Sequence, residues 1–134
     1  KYNGSRLEDE GKELLLAKIT NAVDSNDAWA SPDFSLNMLA DMVGRNAHDV
    51  SQVINEKMDM NFNTFINKIR INEACKRFAD KNNYGKLTIE AVSMSVGFKS
   101  YSHFCRTFKK VTGLTPSEYL RMARKQEAEK QARN

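Results

Sequence analysis

The sequence predicts an all-α fold of about seven helices, made of two copies of one helical unit joined by a long connector helix. Three observations carry that expectation. Apolar residues recur at i, i+3 and i+4 along almost the whole chain, and strand-type alternation is scarce. Only 2 prolines occur in 134 residues, and both, Pro32 and Pro116, fall at segment edges. One apolar pattern closed by glycine is also written twice, at an offset of 53 residues.

The elements follow in order. Residues 1–12 are polar and read as a linker from an N-terminal region missing from the chain, with the helical pattern setting in at Leu7. Leu15, Ile19, Ala22 and Val23 form the apolar stripe of a first helix ending near Val23. Pro32-Asp33-Phe34 is a loop, and Ser35 caps a short helix whose inner face is Leu36, Leu39, Ala40 and Val43. Gly44 ends it, because glycine accepts the left-handed conformation that closes a helix. A second short helix, roughly Ala47 to Lys57, turns Val50, Val53 and Ile54 inward, so residues 13–60 make a first subdomain. The connector occupies 61–80, with Phe65, Ile66, Ile69, Ala74 and Phe78 as its apolar positions, and Lys81 to Gly85 breaks it. In the second subdomain, 81–124, Thr88 caps a helix through Val92 and Val96 that ends at Gly97. Ser100 opens the next, with Phe104 and Phe108 inward, and Pro116 behind Thr115 starts the last. Residues 125–134 are a polar tail.

The repeat is specific in its register. Leu36, Leu39, Ala40, Val43 and Gly44 correspond to Ile89, Val92, Ser93, Val96 and Gly97 at an offset of 53, and Val50, Ile54, Met60, Phe65 and Ile66 to Phe104, Phe108, Leu114, Tyr119 and Leu120 at 54. The one extra residue falls in the second turn. A capped helix, a glycine turn and a second helix, repeated, is the helix-turn-helix pattern, in which the second helix presents its outer face to a major groove. A bundle of helical hairpins has the same apolar spacing. The short glycine turns, the duplication and the basic end of the second copy favour the DNA-binding form.

Charge points the same way. The net charge is +4, but residues 1–60 hold 6 Lys/Arg against 11 Asp/Glu, a balance of −5, and residues 61–134 hold 15 against 6, a balance of +9. A basic C-terminal half suits a polyanion. The alternative is a helical protein-interaction module whose basic face meets an acidic partner. No apolar run is long enough to span a membrane. Two cysteines make no disulfide framework and match a cytoplasmic domain. His48, His103, Cys75 and Cys105 lack the spacing of a metal site, and neither a glycine-rich phosphate loop nor a nucleophile–base–acid set is present, so no cofactor, metal or enzymatic activity is expected.

The second copy, Leu87 to Phe98 followed by Ser102-His103-Phe104-Cys105-Arg106-Thr107-Phe108-Lys109-Lys110-Val111-Thr112-Gly113-Leu114-Thr115-Pro116-Ser117-Glu118-Tyr119, closely resembles the signature of the AraC/XylS family of bacterial transcription regulators. The first copy fits one branch of it through Leu39-Ala40, Val50 to Glu56 and Asn61 to Asn67 with Arg70. Where many members carry Arg and Lys, this chain has the neutral Gln52 and Asn55, so its first unit is less cationic. The resemblance covers roughly residues 33–124 and implies a homeodomain-like C-terminal domain that binds double-stranded promoter DNA through two recognition helices in successive major grooves. It implies RNA polymerase as a protein partner, and fusion to an N-terminal sensor or membrane region that would mediate dimerisation and, where membrane-spanning, anchor the protein.

Candidate site residues lie on the outer faces of the two second helices. Arg106 suits guanine, whose O6 and N7 accept a bidentate pair, and Gln52 suits adenine. His48 and Ser51 flank Gln52, and Tyr101, Ser102 and Cys105 flank Arg106, completing the base-reading set. Asn55, Lys99, Lys109 and Lys110 are phosphate candidates, with the helix starts at Ser35 and Thr88, whose backbone amides suit anions. Asp49 would repel phosphate and is expected to orient a neighbour or face away. Arg70 is expected to tie the connector to a subdomain.

Overall fold

The computed structural model describes the backbone of residues 2–133 and the side chains of residues 8–133. Among them it is all-helical, with eight α-helices and a 3-10 turn. The helices are α1 (Tyr2–Ser25), α2 (Leu36–Val43), α3 (Ala47–Met58), α4 (Phe62–Ala79), α5 (Lys81–Tyr84), α6 (Ile89–Ser95), α7 (Tyr101–Thr112) and α8 (Pro116–Arg133). They form two compact units, residues 1–66 and 67–134, and the division falls within α4.

In the first unit α1, α2 and α3 pack pairwise against one another. Leu15, Ile19 and Val23 of α1 meet Leu39, Ala40 and Val43 of α2 and Val50, Val53 and Ile54 of α3 in a closed core, with Ile19, Leu39, Val50 and Ile54 fully buried. Phe65 and Ile66, from the first turns of α4, complete it, and Phe34 packs on Phe62 with ring centroids 6.0 Å apart. Trp29, held in the 3-10 turn Ala28–Ala30, is buried under this layer. The polar stretch expected to be a linker is helical from Tyr2, and residues 8–12 belong to α1. The reason is charge. Lys57, near the end of α3, pairs with Asp9 at 2.7 Å and Glu13 at 3.0 Å, and Lys12 pairs with Glu56 at 2.8 Å, so the N-terminal half of α1 is fastened to α3 by ion pairs where apolar residues are few.

The second unit is built on aromatic rings. Phe78 of α4 meets Phe108 edge-on at 5.7 Å, Phe108 meets Tyr119 at 5.5 Å, and Phe104 meets Phe98 at 5.2 Å. Offset and edge-to-face pairs of this kind add about 0.5–1.5 kcal/mol each beyond burial alone. Arg70 of α4 is buried with its guanidinium 6.0 Å from the Phe98 ring, and burial lowers its pKa. That placement makes it a tie within this unit. Arg77 does similar work, donating to the Ser95 hydroxyl at 2.8 Å. The segment expected to break the chain after α4 is a single helical turn, α5, whose Asn83 amide is accepted by the Asp80 carboxylate. Beyond Arg124 the polar tail continues as α8 to Arg133.

Candidate nucleic-acid interface

The two units repeat each other in their caps and turns. Ser35 Oγ accepts from Met38 N, and 53 residues on Thr88 Oγ1 accepts from Ala91 N. At the next turn Gly44 N donates to Asp41 O and Arg45 N to Ala40 O, matched by Gly97 N to Met94 O and Phe98 N to Ser93 O. Gly44 and Gly97 hold φ of 71° and 107°, which only glycine adopts freely. Past the inserted Lys99 the offset becomes 54: Asn46 caps α3 through Asp49 N, and Ser100 caps α7 through His103 N. The second helices close alike, α3 at Asp59 with φ 56° and α7 at Gly113 with φ 84°. Asn61 then caps α4 through Thr64 N, and Thr115 caps α8 through Glu118 N.

This shared scaffold decides which side chains face out. Val50 and Ile54 on α3, and Phe104 and Phe108 on α7, face inward. That leaves one outer row on α3, His48, Ser51, Gln52 and Asn55, at spacings of three and four that put them on one helical face. They line a single shallow depression of about 290 Å³ together with Glu56, and Asn55 Nδ2 donates to Ser51 Oγ at 3.5 Å. The equivalent row on α7 is Ser102, Cys105, Arg106 and Lys109, with Ser102, Arg106 and Lys109 exposed and Cys105 half-buried. Lys110 is exposed one row over.

Other expected residues are placed differently. Tyr101 is 40% exposed, but its ring stacks at 16° on Phe104 with centroids 6.4 Å apart, and burial followed by its bond to Cys105 raises its phenol pKa. One face of its ring is turned to Phe104. The hydroxyl oxygens of Ser35 and Thr88 accept the capping bonds from Met38 N and Ala91 N, which leaves the remaining backbone amides of the first turn, and the O–H itself, to face an anion there. Lys99 is exposed in the turn that leads into α7. His103 lies edge-on to Phe98 at 5.4 Å.

Three residues absent from the sequence-derived set lie at the edge of the α3 face. Arg45 reaches Asp49 at 2.7 Å, which explains the carboxylate on that helix as the holder of a neighbouring cation. Glu56 accepts from Gln52 Nε2 at 3.0 Å and from Lys12 at 2.8 Å. The sequence does contain the signals: Arg45/Asp49 and Gln52/Glu56 are both i, i+4 pairs. Lys12, from α1, lies 44 residues away from its partner, and only the fold brings it there. Among the described residues no group of His, Cys, Asp or Glu has the arrangement of a metal site.

Two units that each repeat a capped helix, a glycine turn and a second capped helix with a polar outer row define a protein of the helix-turn-helix class. A family model described as a helix-turn-helix domain matches residues 39–122, and the chain belongs to that family, in its AraC-type form: it is the DNA-binding domain of a transcription regulator. Over 102 residues, 76% of this chain, it is 30% identical to an uncharacterised HTH-type transcriptional regulator of Staphylococcus aureus (strain COL). Over 87 residues, 65% of the chain, it is 26% identical to another from Haemophilus influenzae. The chain spans 13% and 28% of those two proteins. Among solved structures, the C-terminal domain of AraT, a response regulator from Geobacillus stearothermophilus, superposes with a TM-score of 0.64 at 22% identity, covering 78% of this chain and 84% of that one. The C-terminal domain of the response regulator yesN from Fusobacterium nucleatum gives 0.61 at 20%, covering 83% and 98%. At these identities the superpositions establish the fold.

Proposed function

We propose that the chain binds duplex promoter DNA sequence-specifically by placing α3 and α7 in successive major grooves. The observation that carries this is the matched pair of outer rows, His48-Ser51-Gln52-Asn55 and Ser102-Cys105-Arg106-Lys109, presented by two scaffolds that share their helix caps and turn hydrogen bonds. Arg106 is the principal base reader, with guanine O6 and N7 as its target, and Gln52 reads adenine. Ser51, His48, Ser102, Cys105 and the outer edge of Tyr101 contribute at the flanks. Lys109, Lys110, Lys99 and Asn55, with the backbone amides at Ser35 and Thr88, meet phosphates. Because α7 carries three cations and α3 a single lysine, turned to α1, the second unit supplies most of the affinity. In the whole regulator, a region N-terminal to this domain senses the signal and mediates dimerisation, RNA polymerase is the protein partner, and the domain works in the cytoplasm.

Binding-site selection from random duplex DNA, followed by salt titration, tests the reading. The expected product is a bipartite site whose halves lie about one helical turn, roughly 34 Å, apart. The log–log salt dependence should be linear, with a slope of about −0.9 per phosphate neutralised. Selection that enriches no sequence, or a flat salt response, overturns it.

A further inference from the structure

We propose that Glu56, anchored by Lys12 of α1, fixes which way round the Gln52 carboxamide is presented and so sets the base preference of the first recognition helix. This rests on the reading of Gln52 as a base contact and adds two residues to it. Both carboxylate oxygens of Glu56 are engaged: Oε1 accepts from Gln52 Nε2 at 3.0 Å, and Oε2 accepts from Lys12 Nζ at 2.8 Å. Lys12 is itself braced by Glu8 at 3.2 Å. An ionised carboxylate only accepts hydrogen bonds, so the nitrogen end of the amide must face Glu56. One N–H of Gln52 is used there. The second N–H and the amide oxygen remain for a base edge.

The consequence is chemical. A side-chain amide that turns over freely exchanges its donor and acceptor ends and discriminates poorly. Adenine offers one acceptor, N7, and one donor, the N6 amino group, which match the remaining N–H and oxygen of Gln52. Guanine offers two acceptors, N7 and O6. To satisfy both, the Gln52 nitrogen would have to leave Glu56, putting amide oxygen against carboxylate. Lys12 keeps that negative charge pinned beside the reader and offsets its repulsion of the DNA backbone. The repeat supplies the contrast: at an offset of 54, Arg106 and Lys110 stand where Gln52 and Glu56 do. A guanidinium donates from every edge, so the reader on α7 has no sense to fix.

The test uses the whole chain and duplexes carrying each base pair at every position of the selected site, with wild type, Gln52→Ala, Glu56→Gln and Lys12→Met. Wild type should prefer adenine to guanine at one position of the first half-site by about tenfold. Gln52→Ala should abolish that preference there and nowhere else. Glu56→Gln, near-isosteric and able to donate as well as accept, should cut it to about two- to threefold and leave the Arg106 half-site unchanged; Lys12→Met should narrow it in the same direction. An intact preference in Gln52→Ala refutes the base-reading role itself. Loss in Gln52→Ala with the preference intact in both Glu56→Gln and Lys12→Met refutes the positioning role and leaves the reading standing. A variant that loses affinity equally for every duplex, at both half-sites, counts against the positioning role too, since a merely structural part moves affinity and not the choice of one base.

Discussion

Replacing Arg106 with alanine separates recognition from folding more cleanly than any other single change. The side chain is exposed on α7, and among the described residues no ion pair includes it. Its loss should therefore leave stability within about 0.5 kcal/mol of wild type, a shift in Tm of no more than about 2 °C for a domain of this size. On cognate DNA a bidentate arginine–guanine contact is worth about 1–3 kcal/mol, so the affinity should fall about 5- to 150-fold. On duplexes already altered at that base pair, the same substitution should cost little. The assay is fluorescence anisotropy on a set of single-pair variants at two salt concentrations. Two outcomes refute the reasoning. Equal loss on every duplex, with the salt slope shallower by about 0.9, makes Arg106 a phosphate contact. Unchanged affinity on all of them removes α7 from the groove.

Further predictions concern the scaffold. Gly113 closes α7 at φ 84° with open space where a Cβ would stand, so Gly113→Ala should cost about 1–2 kcal/mol of backbone strain alone, measured by denaturant melts. Asp59 holds the equivalent position in the first unit at φ 56°, and Asp59→Gly should gain up to about 1 kcal/mol by the same measurement. Thr115 and Glu118 form a reciprocal capping box at the start of α8, at 2.8 and 3.2 Å, and Thr115→Ala should cost about 1 kcal/mol. Asp9, held by Lys57, Glu56 by Lys12, Asp80 by Asn83 and Glu118 by Thr115, all titrate below their ordinary values in the folded protein. Their stabilisation is therefore present above the unfolded carboxylate range and is lost as pH falls through the folded values. Tm should drop below about pH 4, and an unchanged Tm down to about pH 3 would contradict the ion pairs and caps described.

The fold was legible because its signals are local. Ser35, Thr88 and Ser100 are caps that act within three residues, and the apolar positions of α2, α3, α6 and α7 follow from helical spacing alone. The long helix in this region is α4, Phe62–Ala79. The misreadings share a cause: contacts distant in sequence decide them. Residues 8–12 look like a linker until Lys57 and Glu56 arrive from α3 to pair with them. On the candidate face, the row Ser102, Cys105, Arg106 and Lys109 could be read from spacing. That Tyr101 leans on Phe104 could not, because an aromatic at the start of a helix stacks inward or outward according to its neighbours in space.

The comparison of the two copies shows where selection on packing ends and selection on chemistry begins. Positions that bury a side chain or cap a helix are repeated in kind: Leu39 with Val92, Val43 with Val96, Ser35 with Thr88, Asn46 with Ser100. Outer positions are not: Gln52 faces Arg106 in the alignment, and Asn55 faces Lys109. A change at the first kind of position leaves a cavity or an unmet amide and costs a few kcal/mol in a protein whose total stability is about 5–15 kcal/mol. A change at the second kind is close to neutral for folding. Each unit therefore keeps the same helix-turn-helix geometry while the outer surfaces diverge. If the proposed reading holds, the cations of α7 concentrate binding energy in one half-site, and discrimination at the other depends on hydrogen-bond direction. Exchanging the outer rows between α3 and α7 should accordingly move the affinity with the cations and leave both units folded.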